Sequence, residues 1–333
     1  MLSCASHPLP GGRPALAQAR LPARRSRAQR ALPSDTALAG ELSVSPGSAP
    51  ARCWELDFCS RPLLDARGKK VWELLVTDAS SSLRYAEYFP NNRINSAELK
   101  AALQRLAEAT APPTSIRFFR AQMQTIIGRA CTELGVSVLP SRRCFGVQSW
   151  LSERNARLYP TLPNFDAQAA PLVAFEPGAP APLPDALRGE SWAFVQLPLS
   201  AVRTEAQRVT QGLAFGAVFS PEAAGCQLPE EALVPGVVVL SRRADALAGW
   251  TNGLEIAALQ PDTRAAQLLL ETGVSQRWAY ASWRRSAQAS AEAEQWIAAK
   301  NAAQGLHFLC VSPNEQADAS GFWLCREFDA KTL

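Results

Sequence analysis

Histidine is almost missing from this chain: only His7 and His307 occur among 333 residues. A His-ligated metal centre is thereby excluded, and a Ser-His-Asp triad would have to use His307 with no G-x-S-x-G nucleophile motif beside it. His307 sits in the apolar run Leu306-His307-Phe308-Leu309, where a core or edge histidine is the simpler account. Paired cysteines are missing too. The eight cysteines (Cys4, Cys53, Cys59, Cys131, Cys144, Cys226, Cys310, Cys325) contain no C-x-x-C spacing, so neither a zinc ribbon nor a disulfide framework is indicated. Most lie in apolar runs, as small buried hydrophobes do. No apolar run approaches the roughly 20 residues that cross a bilayer; Val234–Leu240 stops after one strand's length, so no membrane span is expected. There is no Walker A loop, no G-x-G-x-x-G opening a helix after a strand, no RNP1-like octamer and no G-x-x-G clamp. The expectation is a soluble chain without cofactors that is not an enzyme.

What is present divides into unlike blocks. Residues 1–51 carry Arg13, Arg20, Arg24, Arg25, Arg27 and Arg30 against only Asp35 and Glu41, amid Ala, Pro and Ser. With no long apolar segment, this composition reads as a disordered transit peptide for organellar import; the competing account is a basic arm that itself binds nucleic acid. Residues 52–159 hold 16 Lys+Arg and 10 Asp+Glu, whereas residues 160–333 hold 12 and 18. A basic domain suits a polyanion, since each neutralised phosphate releases counterions. An acidic one suits a basic protein or docking within the chain. Pro160, Pro163, Pro171, Pro177, Pro180, Pro182 and Pro184 crowd the stretch between Tyr159 and Trp192, which reads as a linker over 160–191. The last block, 192–329, is the acidic domain.

Periodicity sets the fold class. Trp54–Phe58 alternates as a half-buried strand; a turn at 65–68 and the run Lys70–Val76 complete a hairpin, and Leu83–Phe89 adds a third strand. Asn95-Ser96 opens a helix with Leu99, Leu103 and Leu106 at helical spacing. Ile116–Phe119 reads as a strand, Gln122–Leu134 as a helix closed by Gly135, and Val136–Leu139 as a strand. In the second block Trp192–Val195, Val237–Leu240, Leu268–Glu271 and Trp278–Trp283 are strand-like. A helix over Ser290–Gln304, closed by Gly305, precedes strands at Leu306–Val311 and Gly321–Leu324. The result is α+β: two mixed sheet/helix domains joined by a proline-rich linker. One echo crosses the blocks, Ser141-Arg142-Arg143 with Trp150 and Ser241-Arg242-Arg243 with Trp250, each after an apolar strand.

Two constellations bear on chemistry. Aromatics and arginines interleave on the basic strands, and Arg117-Phe118-Phe119-Arg120 sends alternate side chains to opposite sheet faces. Such a sheet stacks unpaired bases and holds a phosphate backbone. The RNA-contact set drawn from this chemistry is Trp54, Arg61, Trp72, Arg117, Phe119, Arg120, Arg142, Arg143, Arg242 and Arg243. For any single aromatic of the set, a place in the core is the simpler account. The second constellation is Asp57 opposite Glu73 on the first hairpin, a placement that metal-dependent nucleases use. Here the run is Glu73-Leu74-Leu75, without the activating lysine of Glu-x-Lys.

Cys53-Trp54-Glu55-Leu56-Asp57-Phe58-Cys59-Ser60-Arg61-Pro62 followed by Lys70–Val76 resembles the opening of the Tab-two (Atab-two) family of plants, algae and cyanobacteria. Further matching runs are Ile116–Arg120 with Gln122-Met123, Pro140–Arg143, Trp192–Val195, Pro235-Gly236 leading to Ser241–Arg243, Leu247–Trp250 with Gly253–Glu255, Leu268–Gly273, and Gly305–Leu309. The similarity spans roughly 53–329. It implies a stromal chloroplast factor that binds single-stranded RNA, the 5′ untranslated region of plastid messages. By this it activates translation of photosystem I reaction-centre proteins, with photosystem II biogenesis in some members and with other translation or assembly proteins as partners. The resemblance carries over no catalytic residue. The alternatives are a metal-dependent nuclease, intact or degenerate, using Asp57 and Glu73, and a protein-binding assembly scaffold using the acidic domain.

Overall fold

A computed structural model describes residues 40–48, 51–168 and 178–328. The expected transit peptide through residue 39, and residues 169–177 of the proline-rich stretch, lie outside the described residues.

The first half is built on a six-stranded sheet. Its strands are β1 (Glu41–Val44), β2 (Cys53–Leu64), β3 (Lys70–Thr77) and β4 (Leu83–Phe89), then β5 (Ser115–Phe118) and β6 (Ser137–Pro140) beyond helices α1 (Ser96–Ala109) and α2 (Gln124–Leu134). The order is β1-β4-β3-β2-β5-β6. β2, β3 and β4 meander antiparallel and β1 pairs antiparallel outside β4, while β2, β5 and β6 run parallel, which requires helical crossovers. Asn95 Oδ1 accepts the Glu98 N–H at 2.9 Å and starts α1; Gly135 ends α2 at φ 71°, in the left-handed region that glycine enters without penalty. Alternation along β2 sorts its side chains. Trp54, Leu56 and Phe58 pack under α1 and α2 with Leu99, Leu103 and Ile127. The other face is covered by α3 (Phe145–Glu153), through Val147, Trp150 and Leu151.

β1 corrects one expectation. Glu41–Val44 falls inside the stretch assigned to a disordered leader, yet it pairs antiparallel with β4, Leu42 opposite Tyr85. Gly40 lies so close to the Tyr85 ring that a Cβ there would meet it at 2.4 Å.

The second half has two sheets. β8 (Ser191–Pro198), α4 (Leu199–Thr210), β9 (Phe215–Ala217), β10 (Leu233–Leu240) and α5 (Ala244–Asn252) come first, preceded by β7 (Ala181–Pro182). Then follow β11 (Ile256–Asp262), β12 (Gln267–Thr272), β13 (Gln276–Ser282), α6 (Ala287–Ala302), β14 (Leu306–Ser312) and β15 (Gly321–Arg326). One sheet orders β8-β10-β14-β15-β9, the other β11-β12-β13-β7. Val237, Leu309 and Trp323 of the first pack with Leu259, Leu268 and Tyr280 of the second, and with Leu247 of α5 and Trp296 of α6. α4 closes the opposite face over Val234, Phe308 and Phe322. Gly236 is needed there: a Cβ would meet the Phe308 ring at 2.2 Å.

Both described ends of the proline-rich stretch are tied into sheets. Leu63 bridges Phe165, and Leu64 N–H donates to Asn164 O at 3.0 Å. Ala181 and Pro182 lie beside Trp278 and Ala279 of β13, where proline is tolerated at a sheet edge. The α+β class read from the sequence holds.

The Ser-Arg-Arg echo is also real at the level of local structure. Ser141 Oγ accepts the Arg143 N–H at 2.9 Å, and Ser241 Oγ accepts the Arg243 N–H at 3.1 Å. Each serine thus forms the same side-chain turn between a strand and a short helix, α3 or α5.

Candidate nucleic-acid interface

The even-numbered residues of β2 make the core; the odd-numbered ones, Glu55, Asp57, Cys59 and Arg61, face α3. Asp57 and Glu73 lie on that face, one step apart in register, since Asp57 pairs with Leu75 and Glu73 with Cys59. They are bridged by Arg61, whose Nε donates to Glu73 Oε2 at 2.7 Å. Arg61 Nη2 stands 2.9 Å from Asp57 Oδ2, close enough to pair though not aligned as a hydrogen bond. Arg120 adds a two-pronged contact to Asp57, its Nη2 at 3.1 Å from Oδ2. Arg154 and the Tyr159 hydroxyl both donate to Glu73, and Arg154 also donates to Tyr88 Oη at 3.0 Å. All of this but the half-buried Tyr88 is buried. Burial alone would raise the Asp57 pKa, but the Arg120 and Arg61 charges outweigh it and hold the carboxyl below its ordinary value. Three guanidinium groups therefore surround two carboxylates. A divalent cation would have to displace them, and the fit to the nuclease alternative is poor on that ground.

Glu55 has a different fate. Its Oε2 accepts the Val147 N–H at 3.0 Å in the first turn of α3, tying strand to helix. Burial pushes the carboxyl up to about 7, against the opposing pull of the Val147 and Gly146 amides and the Arg117 charge. The folded chain thus holds a proton that the unfolded chain releases above 4.5, so this group's contribution is full below 4.5 and is lost as pH rises to about 7. Glu55→Gln keeps an acceptor for Val147 and cannot ionise. It is expected to match wild type near pH 4.5 and to be more stable by about 1–3 kcal/mol above pH 7. Denaturant melts of both proteins across that range check it; a difference independent of pH contradicts it.

The Ser-Arg-Arg run of the first half is a seam. Ser141 Oγ donates to Glu255 Oε1 at 2.6 Å, and Arg142 Nη2 donates to Glu271 Oε2 at 2.5 Å. Arg143 is buried with no carboxylate partner among the described residues: its Nη1 donates to Leu324 O at 2.9 Å and Ile256 O at 3.3 Å, and its guanidinium lies over the rings of Phe145 and Phe219. Arg117 reaches Glu255 at 3.6 Å.

The ten sequence-chosen contact residues thus separate. Trp54, Arg61, Phe119, Arg120 and Arg143 are buried, so in this conformation a polymer does not reach them. Their corrected roles are core packing for Trp54 and Phe119 and internal ion pairing or carbonyl capture for the arginines. Trp72 is half-buried, its Nε1 donating to Asn91 Oδ1 at 3.1 Å. Arg117 and Arg142 are half-buried in the seam, and only Arg242 and Arg243 are fully exposed. The exposed cations of the basic block that lack a carboxylate partner among the described residues are Arg52, Lys69, Lys70 and Arg157.

The second half carries a feature the sequence reading left among its strands. Beside the edge strand β8 runs a groove of about 540 Å³, walled by Trp192, Phe194, Trp283 and Trp296 and rimmed by Gln196, Glu292 and Gln295. Trp192 and Phe194 share a face of β8 and meet edge-on at 5.1 Å; Trp283 packs on both, at 5.8 and 6.4 Å. Trp192 Nε1 donates to Ser282 O and Trp296 Nε1 to Gly236 O, which fixes both indoles, whereas the buried Trp283 Nε1 has no acceptor among the described residues. Arg284 and Arg285 follow, exposed and with no ion pair among the described residues, and Ser286 caps α6 by accepting the Ala289 N–H at 3.1 Å. The signal was present as Trp283-Arg284-Arg285 ahead of a helix cap, and block-wide charge counting masked it.

The described residues thus define an α+β scaffold whose interior charges are spent on its own structure and whose open, aromatic groove is flanked by arginine. Two models of one family cover the chain: "RNA-binding protein Tab2/Atab2 N terminal" over residues 53–154 and "RNA-binding protein Tab2/Atab2, C-terminal domain" over 170–326. The chain belongs to this Tab2/Atab2 family of RNA-binding proteins. A relative from Zea mays, "Protein TAB2 homolog, chloroplastic", is 52% identical over 276 residues, 82% of this chain and 71% of the relative. The protein of the same name from Arabidopsis thaliana is 45% identical over 274 residues, covering 81% and 73%. Among solved structures, the HTLV-2 integrase catalytic core domain with magnesium overlaps 35% of this chain and 78% of its own at 16% identity and a TM-score of 0.24, too slight to bear on fold or chemistry.

Proposed function

We propose that this protein is a chloroplast RNA-binding factor. It acts in the stroma on the 5′ untranslated region of plastid messages for photosystem reaction-centre proteins, activating their translation without turning RNA over. Membership of the Tab2/Atab2 family, matched in both halves of the chain, carries this reading. The chloroplastic names of the relatives and the arginine-rich, acid-poor start of the sequence agree with it. The organisation that goes with it is an import leader, a basic domain over 52–159, a connection over 160–191 and an acidic domain over 192–329. Pairing of β1 with β4 supports a leader that ends ahead of Gly40.

Crosslinking in intact plastids, followed by sequencing of the RNA recovered with the tagged protein, tests this. Strong enrichment of 5′ untranslated regions of photosystem messages is expected, on a protein whose own N-terminus lies between Arg30 and Gly40. RNA recovered no better than from an untagged control contradicts the reading.

A further inference from the structure

We infer that the groove between β8 and the start of α6 is a site for unpaired nucleobases of single-stranded RNA, with Arg284 and Arg285 holding the phosphates outside it. This rests on the RNA-binding reading and names the surface and the ligand class. Base recognition needs an aromatic face held rigidly, hydrogen-bonding groups at its edge, and cationic charge where the backbone runs.

Each is present. The Trp192 indole is pinned by its N–H bond to Ser282 O at 3.3 Å, so little side-chain freedom remains to be lost on stacking, and the buried Trp296, bonded to Gly236 O at 2.9 Å, backs the groove from the core. Trp192 also lines a second cavity of about 410 Å³, with Glu190, Ser191, Gln267 and Tyr280.

Charge orients the strand. Glu292, Gln196 and Gln295 at the rim offer acceptors and donors to base edges, and the Glu292 carboxylate repels phosphate. Arg284 and Arg285 follow Trp283 directly, exposed, with no carboxylate partner among the described residues and just ahead of the N-terminus of the 16-residue helix α6, whose dipole favours anions. Bases therefore point inward and phosphates outward. The net acidity of this half does not oppose such binding: the contact charge is local, and exposed charges beyond about 8–10 Å are screened at physiological salt.

The test uses the full chain, fluorescein-labelled oligo-uridylate and oligo-adenylate of about 15 nucleotides, and an RNA duplex of like length. Trp192→Leu and Trp283→Leu, which keep apolar bulk but remove the stacking face, are each expected to weaken single-strand binding roughly tenfold while leaving duplex binding unchanged. Trp283→Phe retains most of the affinity. The double variant Arg284→Ala, Arg285→Ala flattens the log–log dependence of affinity on salt by about 1.4, the slope of two single-strand phosphate contacts. That pair is exposed and tests the site even where an indole replacement lowers the melting temperature. Variants that melt like wild type and bind single strands with unchanged affinity and slope overturn the groove assignment and leave the RNA-binding reading standing. A wild-type chain that binds none of the RNAs overturns both.

Discussion

Glu73→Ala is expected to destabilise the protein by about 3–5 kcal/mol, the scale for breaking a buried ion pair from one side. Glu73 accepts from Arg61, Arg154 and Tyr159, all buried, so its removal leaves two guanidinium groups and a hydroxyl without their acceptor. A domain's net stability is about 5–15 kcal/mol, and a loss of this size removes a large part of it. Burial also makes the loss insensitive to salt. Glu108→Ala, at an exposed carboxylate whose partner is Gln104, is the control and should change stability by no more than about 0.5 kcal/mol. The experiment also bears on chemistry. A carboxylate kept to hold a catalytic metal is commonly dispensable for folding, whereas one kept to neutralise arginines is not. Guanidinium denaturation of the two variants reads the difference, and a Glu73→Ala variant as stable as wild type contradicts the structural role.

Removing Arg142 and Arg143 together is the second large effect. Arg143 gives charged hydrogen bonds to two backbone carbonyls and lies 5.6 Å from the Phe145 ring centroid and 5.4 Å from that of Phe219. Hydrogen bonds of that kind contribute about 1.5–3 kcal/mol each, and the carbonyls of Ile256 and Leu324 would be left buried without this donor. Arg142 loses Glu271, which then keeps Arg277 at 3.4 Å as a weaker partner. The double alanine variant is expected to lose about 3–5 kcal/mol of stability. Its affinity for RNA, measured where it is still folded, should keep the wild-type salt slope, because Arg142 is paired with Glu271 and Arg143 is buried. A stable variant with a slope flatter by about 1.4 would instead make these arginines phosphate contacts.

How far the sequence revealed this molecule depends on what each signal measures. Strong period-two and helical patterns placed β2, β3, β4, α1 and α2 correctly, and Gly135 and Gly305 both ended helices as their left-handed φ of 71° and 80° requires. α3 was missed because it is buried on nearly every side, so Phe145, Val147, Trp150 and Leu151 leave no polar stripe to mark a period. α5 is short and carries Gly249 near its end. Charge misled more than periodicity did. Counting Arg61, Arg120 and Arg143 toward an RNA-binding surface assumed that arginine lies outside, and here each is buried. Pairing across a sheet is non-local, so no count along the chain discloses that Arg120 finds Asp57 63 positions away. In the second half the same arithmetic averaged Arg284 and Arg285 away among acidic residues.

Ultraviolet crosslinking of the purified full chain to single-stranded RNA, with the modified residues read by mass spectrometry, tests most directly where RNA is held. The account predicts adducts on Trp192, Phe194 or Trp283 and on the peptide through Arg285, reduced in Trp192→Leu and Trp283→Leu. Adducts confined to the first half, on Trp72 or Tyr88 for example, with the groove unmodified, would contradict it.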